Sequence, residues 1–188
     1  MKVVLNAARG SFLHIFAPQA GTDGGEPKYN GTWIIEPGSA NAKALAKAVE
    51  TVAKEKWGEK AGATLAALRK GDKVCFREEP KANQSGDVYS GFEDMYWVSA
   101  SDKVRPTVVD RDKSPLTAAD GRPYSGSYMN VILDVWAQDN SYGKRVNASL
   151  KGVQFVKNGD AFSGGAPASA DEFDVVEAPE DGTVDDLA

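Results

Sequence analysis

Two consecutive runs of this chain, Tyr128–Gln138 and Lys144–Lys157, alternate apolar and polar residues on either side of Asp139-Asn140-Ser141-Tyr142-Gly143. A strand turns alternate residues to opposite faces, so the pattern specifies a long β-hairpin with one buried face. Val131, Leu133, Val135 and Ala137 form the inner face of the first strand, and Val146, Ala148 and Leu150 that of the second. A hairpin is marginal in water by itself and needs further strands or a helix over its apolar face. Shorter β-like runs supply them: Val3–Ala7, Phe12–Phe16, Lys28–Glu36, Lys73–Glu79, Phe92–Ala100 and Pro106–Asp110. The first two are separated at Arg9-Gly10, and Pro37-Gly38 stops the third.

Between the early and middle strands the period changes to that of a helix. Ser39 is placed as an N-cap, and Leu45, Val49, Val52 and Trp57 mark one face, with Lys43, Lys47, Lys54 and Lys56 mostly off it. Gly58 ends this helix. A second, Thr64–Lys70, carries Arg69 and Lys70 in its last turn and Gly71 at its C-cap. Short strands around one helical insertion predict a mainly β fold, an OB-type closed or partly open β-barrel, for which five strands and long connections are usual. A β-sandwich is the alternative. The barrel is expected to occupy residues 1–158. From Gly159 the composition shifts to Gly, Ala, Ser, Pro and acids, which bury too little apolar surface to offset ordering entropy, so 159–188 is expected to be a flexible acidic tail.

Charge also divides body from tail. All 22 Lys and Arg residues precede Asp171, together with 19 of the 27 acidic ones, a net of +3 for that part; the eight charges from Asp171 to Asp186 are all acidic. A basic body with an acidic tail suits a protein that handles a polyanion and regulates its own grip on it. No apolar run is long enough to span a bilayer, and the first residues lack the continuous apolar region of a signal peptide. One cysteine, Cys75, excludes an internal disulfide framework and fits a reducing cytoplasm.

The outer face of the hairpin carries the functional signal. Trp136 lies there among Asn130, Asp134 and Gln138, opposite Arg145, Asn147, Ser149 and Lys151. A large ring flanked by cations and amides matches the stacking platforms of nonspecific single-strand binders; the alternative is that Trp136 packs under a loop or the helical insertion. In Lys73–Glu79, Val74 and Phe76 are expected in the core, with Lys73, Cys75 and Arg77 outward. Tyr89 and Trp97 join the candidate interface, although alternation sends Tyr96 and Trp97 to opposite faces and leaves open which of them is exposed.

Signals of catalysis are weak. His14 is the only histidine, which rules out a Cys/His zinc site within one chain, and no phosphate-cradling glycine loop or Gly-x-Ser-x-Gly elbow is present. Asp110 and Asp112 could converge on a divalent metal for phosphoryl chemistry, or decorate a turn ahead of Ser114-Pro115. No cofactor is expected.

Several stretches carry a family resemblance: Gly24-Gly25-Glu26-Pro27-Lys28-Tyr29, Arg105-Pro106-Thr107-Val108-Val109-Asp110, Tyr124-Ser125-Gly126-Ser127-Tyr128-Met129-Asn130, Ala148-Ser149-Leu150-Lys151-Gly152-Val153-Gln154 and Asp171-Glu172-Phe173. In these the chain resembles bacteriophage single-stranded DNA-binding proteins with an OB-type fold and an acidic C-terminal tail. The resemblance implies a non-catalytic, sequence-independent coat for single-stranded DNA in phage replication, recombination or repair, in the cytoplasm of an infected bacterium. It also implies that Lys28, Tyr29 and Arg105 lie near the binding cleft, and that the tail contacts phage or host replication proteins. Many such tails end in an aromatic residue, whereas this one ends Asp185-Asp186-Leu187-Ala188, leaving Leu187 or Phe173 to dock. A metal-dependent nuclease using Asp110 and Asp112, and a phage protein-interaction module, are the competing readings.

Overall fold

The computed structural model describes residues 1–21 and 24–162. The expected hairpin is present: β6 (Tyr128–Asn140) and β7 (Gly143–Lys157) pair antiparallel, with Trp136 opposite Asn147 and Gln138 opposite Arg145. Its inner face is buried as the alternation requires, with Val131, Leu133, Val135, Val146 and Leu150 at most 1% exposed.

β1 (Lys2–Gln19) is one continuous strand where the sequence pattern suggested two. The interruption takes the form of irregularities within the strand. Ala7 and Phe12 both have positive φ, 46° and 51°, and the register slips between Leu5 and Ala8 against β6 and between Ser11 and His14 against β2 (Lys28–Ile35). A slip re-aims the side chains without ending the pairing. The polar groups displaced at the first one are recaptured: the Ala7 N–H donates to Asn130 Oδ1 at 2.9 Å, and Asn41 bonds both the N–H and the carbonyl of Asn6. Gly10 between the slips lies close under Met129: a Cβ there would lie 2.5 Å from Met129 Cε, so the methionine would have to shift.

α1 (Ala40–Trp57) begins where Ser39 caps it, its Oγ accepting from the Ala42 N–H at 3.2 Å. It buries Ala42, Leu45, Ala48, Val49, Val52 and Ala53 against the rest of the core. Leu45 and Val49 are fully buried, each stabilising the fold by roughly 1.5–3 kcal/mol relative to exposure. A 3₁₀ turn at Gly58–Lys60 leads into α2 (Ala61–Lys70), which starts three residues earlier than its pattern suggested and ends at Gly71. The remaining strands are shorter than expected: β3 is Phe76–Arg77, β4 is Tyr96–Asp102 and β5 is Thr107–Val109.

The sheet runs in the order β3-β4-β2-β1-β6-β7-β5, seven strands where five are usual for an OB-type barrel, and β5 joins β7 in parallel. Its two sides meet. The Cys75 N–H donates to the Val146 carbonyl and the Val146 N–H to the Lys73 carbonyl, both at 2.9 Å, which brings the segment before β3 onto β7. The architecture is therefore the mainly β, partly open OB-type barrel with a helical insertion, closed on one side by three residues. Trp33, Phe76, Val98, Leu133 and Leu150 fill its interior. None of the described helices is long and apolar enough to cross a membrane.

The chain beyond β7 stays on the barrel through Phe162. The Tyr124 hydroxyl donates to the Gly159 carbonyl at 2.9 Å, and Arg9 donates to the Asp160 carbonyl at 2.7 Å. The Phe162 N–H reaches the Ser125 carbonyl, and its ring lies 4.2 Å from the Arg9 guanidinium. The acidic segment, with Phe173 and Leu187, lies outside the described residues.

Candidate nucleic-acid interface

The seam where the segment before β3 meets β7 is the floor of an open groove of about 560 Å³. Alternation builds its walls. β2 contributes Lys28, Asn30 and Thr32, β4 contributes Trp97, Ser99 and Ser101, and the hairpin contributes Trp136, Gln138, Arg145, Asn147 and Ser149. Asp72, Lys73, Val74, Cys75, Arg77, Lys81, Asp102 and Lys103 complete it. Of the nine candidate residues, Lys28, Arg77, Trp97, Trp136 and Arg145 thus converge on one surface.

The groove is basic. Lys28, Lys73, Arg77, Lys81, Lys103 and Arg145 line it against two acids, Asp72 and Asp102. Arg77 is paired with Asp72 and lies 3.6 Å from Glu79, while Lys103 pairs with Glu26. Among the described residues Lys28, Lys73, Lys81 and Arg145 form no ion pair. Asp102 is held by Lys151 of β7 at 2.7 Å, so this lysine reaches the groove only through that carboxylate and does not itself line it. Burial pushes the Asp102 carboxyl up, but the Lys151 ammonium and the Val104 and Lys103 N–H groups more than offset this and leave it below the usual carboxylate range.

Two indoles stand in this field. Trp136 is 41% exposed, with its Nε1 donating to Ser149 Oγ at 3.2 Å, so its ring lies on the outer face and is not packed in the core. Trp97 is half-buried under cations: Lys81 Nζ is 3.9 Å and the Arg77 guanidinium 5.3 Å from its ring centre. Tyr96 turns the other way and packs edge-on to Phe76 in the core, which settles the choice alternation left open. Burial, followed by the Arg77 charge, lowers the Lys81 pKa, so this ammonium is incompletely solvated and available to an anion. Burial likewise pushes the Cys75 thiol up to about 12, so it is no thiolate nucleophile near neutral pH.

The other candidates lie elsewhere. Tyr29 pairs with Asp102 on the β2 face away from Lys28 and Asn30. Arg105 is exposed in the connection before β5, outside the groove lining. Tyr89 sits in a loop against Phe12 and Phe92. Sequence reasoning left out Lys73, Lys81 and Lys103. Lys73 was readable from its alternation with Val74, but Lys81 and Lys103 follow strands and carry no periodic signal.

Asp110 and Asp112 have structural uses. Asp110 accepts from Arg122 at 2.8 and 3.2 Å, and Asp112 accepts from the Ser114 N–H and hydroxyl at 2.9 and 2.6 Å. Arg122 and the Arg111 N–H hold Asp110 below the usual carboxylate range, and Ser114 does the same for Asp112. Among the described residues no three His, Cys, Asp or Glu side chains are grouped to hold a metal.

Putative protein p50 of Acyrthosiphon pisum secondary endosymbiont phage 1 is 40% identical over 177 residues, 93% of each chain. The single-stranded DNA-binding protein from bacteriophage Enc34, solved in complex with ssDNA, superposes with a TM-score of 0.70 at 26% identity, over 86% of this chain and 89% of that one. The fold is also that of gp2.5, a single-stranded DNA binding protein encoded by bacteriophage T7, with a TM-score of 0.56 at 13% identity, over 93% of this chain and 98% of that one. Residues 1–184 match the family described as Enterobacter phage Enc34, ssDNA-binding protein, and the chain belongs to that family.

Proposed function

We propose that this protein binds single-stranded DNA in the groove between β2, β4 and the β6–β7 hairpin, as a non-catalytic coat acting in phage replication, recombination or repair. One observation carries the reading: Trp136 and Trp97 share a surface with Lys28, Lys73, Lys81 and Arg145, cations without acidic partners among the described residues. Rings take unpaired bases and cations take the phosphates between them, which duplex DNA cannot exploit because its bases are already stacked.

The reading includes sequence independence. Amides are the side chains best suited to base edges, and those of the groove are committed to one another or to backbone. Asn147 donates to Gln138 Oε1, Gln138 donates to Asn140 Oδ1, and Asn30 donates to the Lys28 carbonyl. The acidic residues from Asp171 onward are the element that would compete with DNA for the groove and dock on phage or host replication proteins, within the cytoplasm of the infected cell. Titration of tryptophan emission with single- and double-stranded oligonucleotides of several sequences tests the proposal. Quenching by single strands irrespective of sequence is expected; no binding at low salt would refute it.

A further inference from the structure

We infer that Phe12 and Tyr89 form a second base-stacking station beyond the groove, taking the nucleotides of the same single strand that follow those at Trp97. The inference rests on the groove reading above and extends its path across the barrel.

Phe12 is a large apolar ring held where a strand would not ordinarily keep one. It has a φ of 51°, it lies within the register slip of β1 against β2, and it is 40% exposed. A bulky residue in the left-handed region is strained and persists only where its surroundings impose it; such strain concentrates at functional positions. Here the strained residue carries a ring that stays at the surface. Phe92, fully buried, lies behind it at 6.3 Å, and Tyr89 meets it edge-on at 5.0 Å and 77°.

A built turn presents Tyr89. Its N–H donates to the Lys81 carbonyl at 2.9 Å, Ala82 bridges Val88, and Asn83 Oδ1 accepts from the Ser85 and Asp87 N–H groups at 2.9 and 3.0 Å. Lys81 and Tyr89 therefore face each other across a small hairpin. The Lys81 ammonium then joins the two aromatic sites, 3.9 Å from the Trp97 ring centre and 5.7 Å from that of Phe12. Ring, cation, ring is the order in which a single strand offers base, phosphate, base. Tyr89 and Val88 are 37% and 42% exposed, so the patch is open beside a groove that already selects a polyanion with unpaired bases.

The test measures affinity for oligothymidylates of increasing length with the unaltered protein, Phe12→Ala and Tyr89→Ala. The shortest binding oligomers, which fill only the groove, should bind all three proteins alike. Longer oligomers should bind each variant roughly 5- to 150-fold more weakly than the unaltered protein, the range for one lost base stack. Equal losses at every length, or none, would overturn the inference. Photocrosslinking of 5-iodouracil-bearing oligomers to the unaltered protein decides the matter even where a variant misfolds. Crosslinks to the Phe12 or Tyr89 peptide appearing only beyond groove length support the station, whereas crosslinks confined to groove peptides at every length, or to neither, overturn it, the second case including capture of this patch by a protein instead. An unaltered protein that binds no oligomer would sink the groove reading as well; normal short-oligomer binding with no length effect sinks this inference alone.

Discussion

Replacing Arg145 should change how steeply DNA binding depends on salt, and replacing Lys151 should not. Lys28, Lys73, Lys81 and Arg145 line the groove without an acidic partner among the described residues, so each is free to neutralise a phosphate. Each neutralised phosphate of a single strand releases counterions worth about 0.7 in the slope of log K against log salt. Four such contacts give a slope of about −2.8, so a fourfold rise in salt should weaken binding by about 50-fold. Arg145→Ala leaves three, a slope of about −2.1, and a loss of about 20-fold over the same range. Lys151 already neutralises Asp102 at 2.7 Å, so Lys151→Ala should lower affinity by leaving that carboxylate at the rim while keeping the slope near −2.8. Arg77 differs again: it donates to the Val74 carbonyl at 2.8 Å and supports Trp97, so its loss should act on folding and on indole position. Fluorescence titrations with one oligothymidylate across a salt series read all of these. An unchanged slope for Arg145→Ala, or equal flattening by Lys151→Ala, would show that the phosphates run elsewhere.

Trp136→Ala should cost about 1–3 kcal/mol of binding and remove part of the DNA-dependent quench, with the circular dichroism spectrum intact; unchanged affinity would make Trp136 a packing residue. Cys75, raised to about 12, stays neutral in the folded protein while the unfolded chain ionises above about 8.5, so its contribution is complete below that pH and declines above it. Urea unfolding should therefore show Cys75→Ala losing about 2 kcal/mol less than the unaltered protein between pH 7 and pH 10, and identical losses would refute this. Deleting Asp171–Ala188 should tighten DNA binding, most at low salt where screening is least, and leave the melting temperature unchanged; weaker binding would mean the segment is no competitor. Phe162→Ala, by contrast, should lower stability by about 1 kcal/mol through the lost Arg9 contact, measured by thermal melting.

The hairpin and its outer face were legible because a period of two leaves no freedom: once Val131, Leu133 and Val135 face the core, Trp136 must face out with Arg145 and Asn147. The Ser39 cap and Gly58 stop were legible for a similar local reason. What stayed hidden was set by tertiary contacts. Arg9-Gly10 looks like a break, yet β1 runs through it, pairing there with β2, and the irregularities fall at Ala7 and Phe12, which carry no turn signal. The strand expected from Lys73 to Glu79 keeps only two residues in the sheet, since the Lys73 carbonyl and the Cys75 N–H bond Val146 instead. That exchange also makes the barrel's seam.

The seam explains why the site's residues are scattered in sequence yet adjacent in space. Val146 is the inward residue of β7 that meets Lys73 and Cys75, so its outward neighbours Arg145 and Asn147 are set beside Lys73. β4 continues the same surface: the Cys75 carbonyl accepts from the Ser99 N–H at 3.0 Å, which brings Trp97 and Ser99 alongside. Thr32 of β2 then follows through its hydroxyl contact with Ser99 at 2.9 Å. Each link is a backbone or side-chain hydrogen bond on the barrel wall, so the spacing between the Trp136 and Trp97 rings is fixed by the sheet itself. A surface of that kind is preorganised for a flexible polyanion: the ordering cost on binding falls mainly on the DNA, and little of it on the protein.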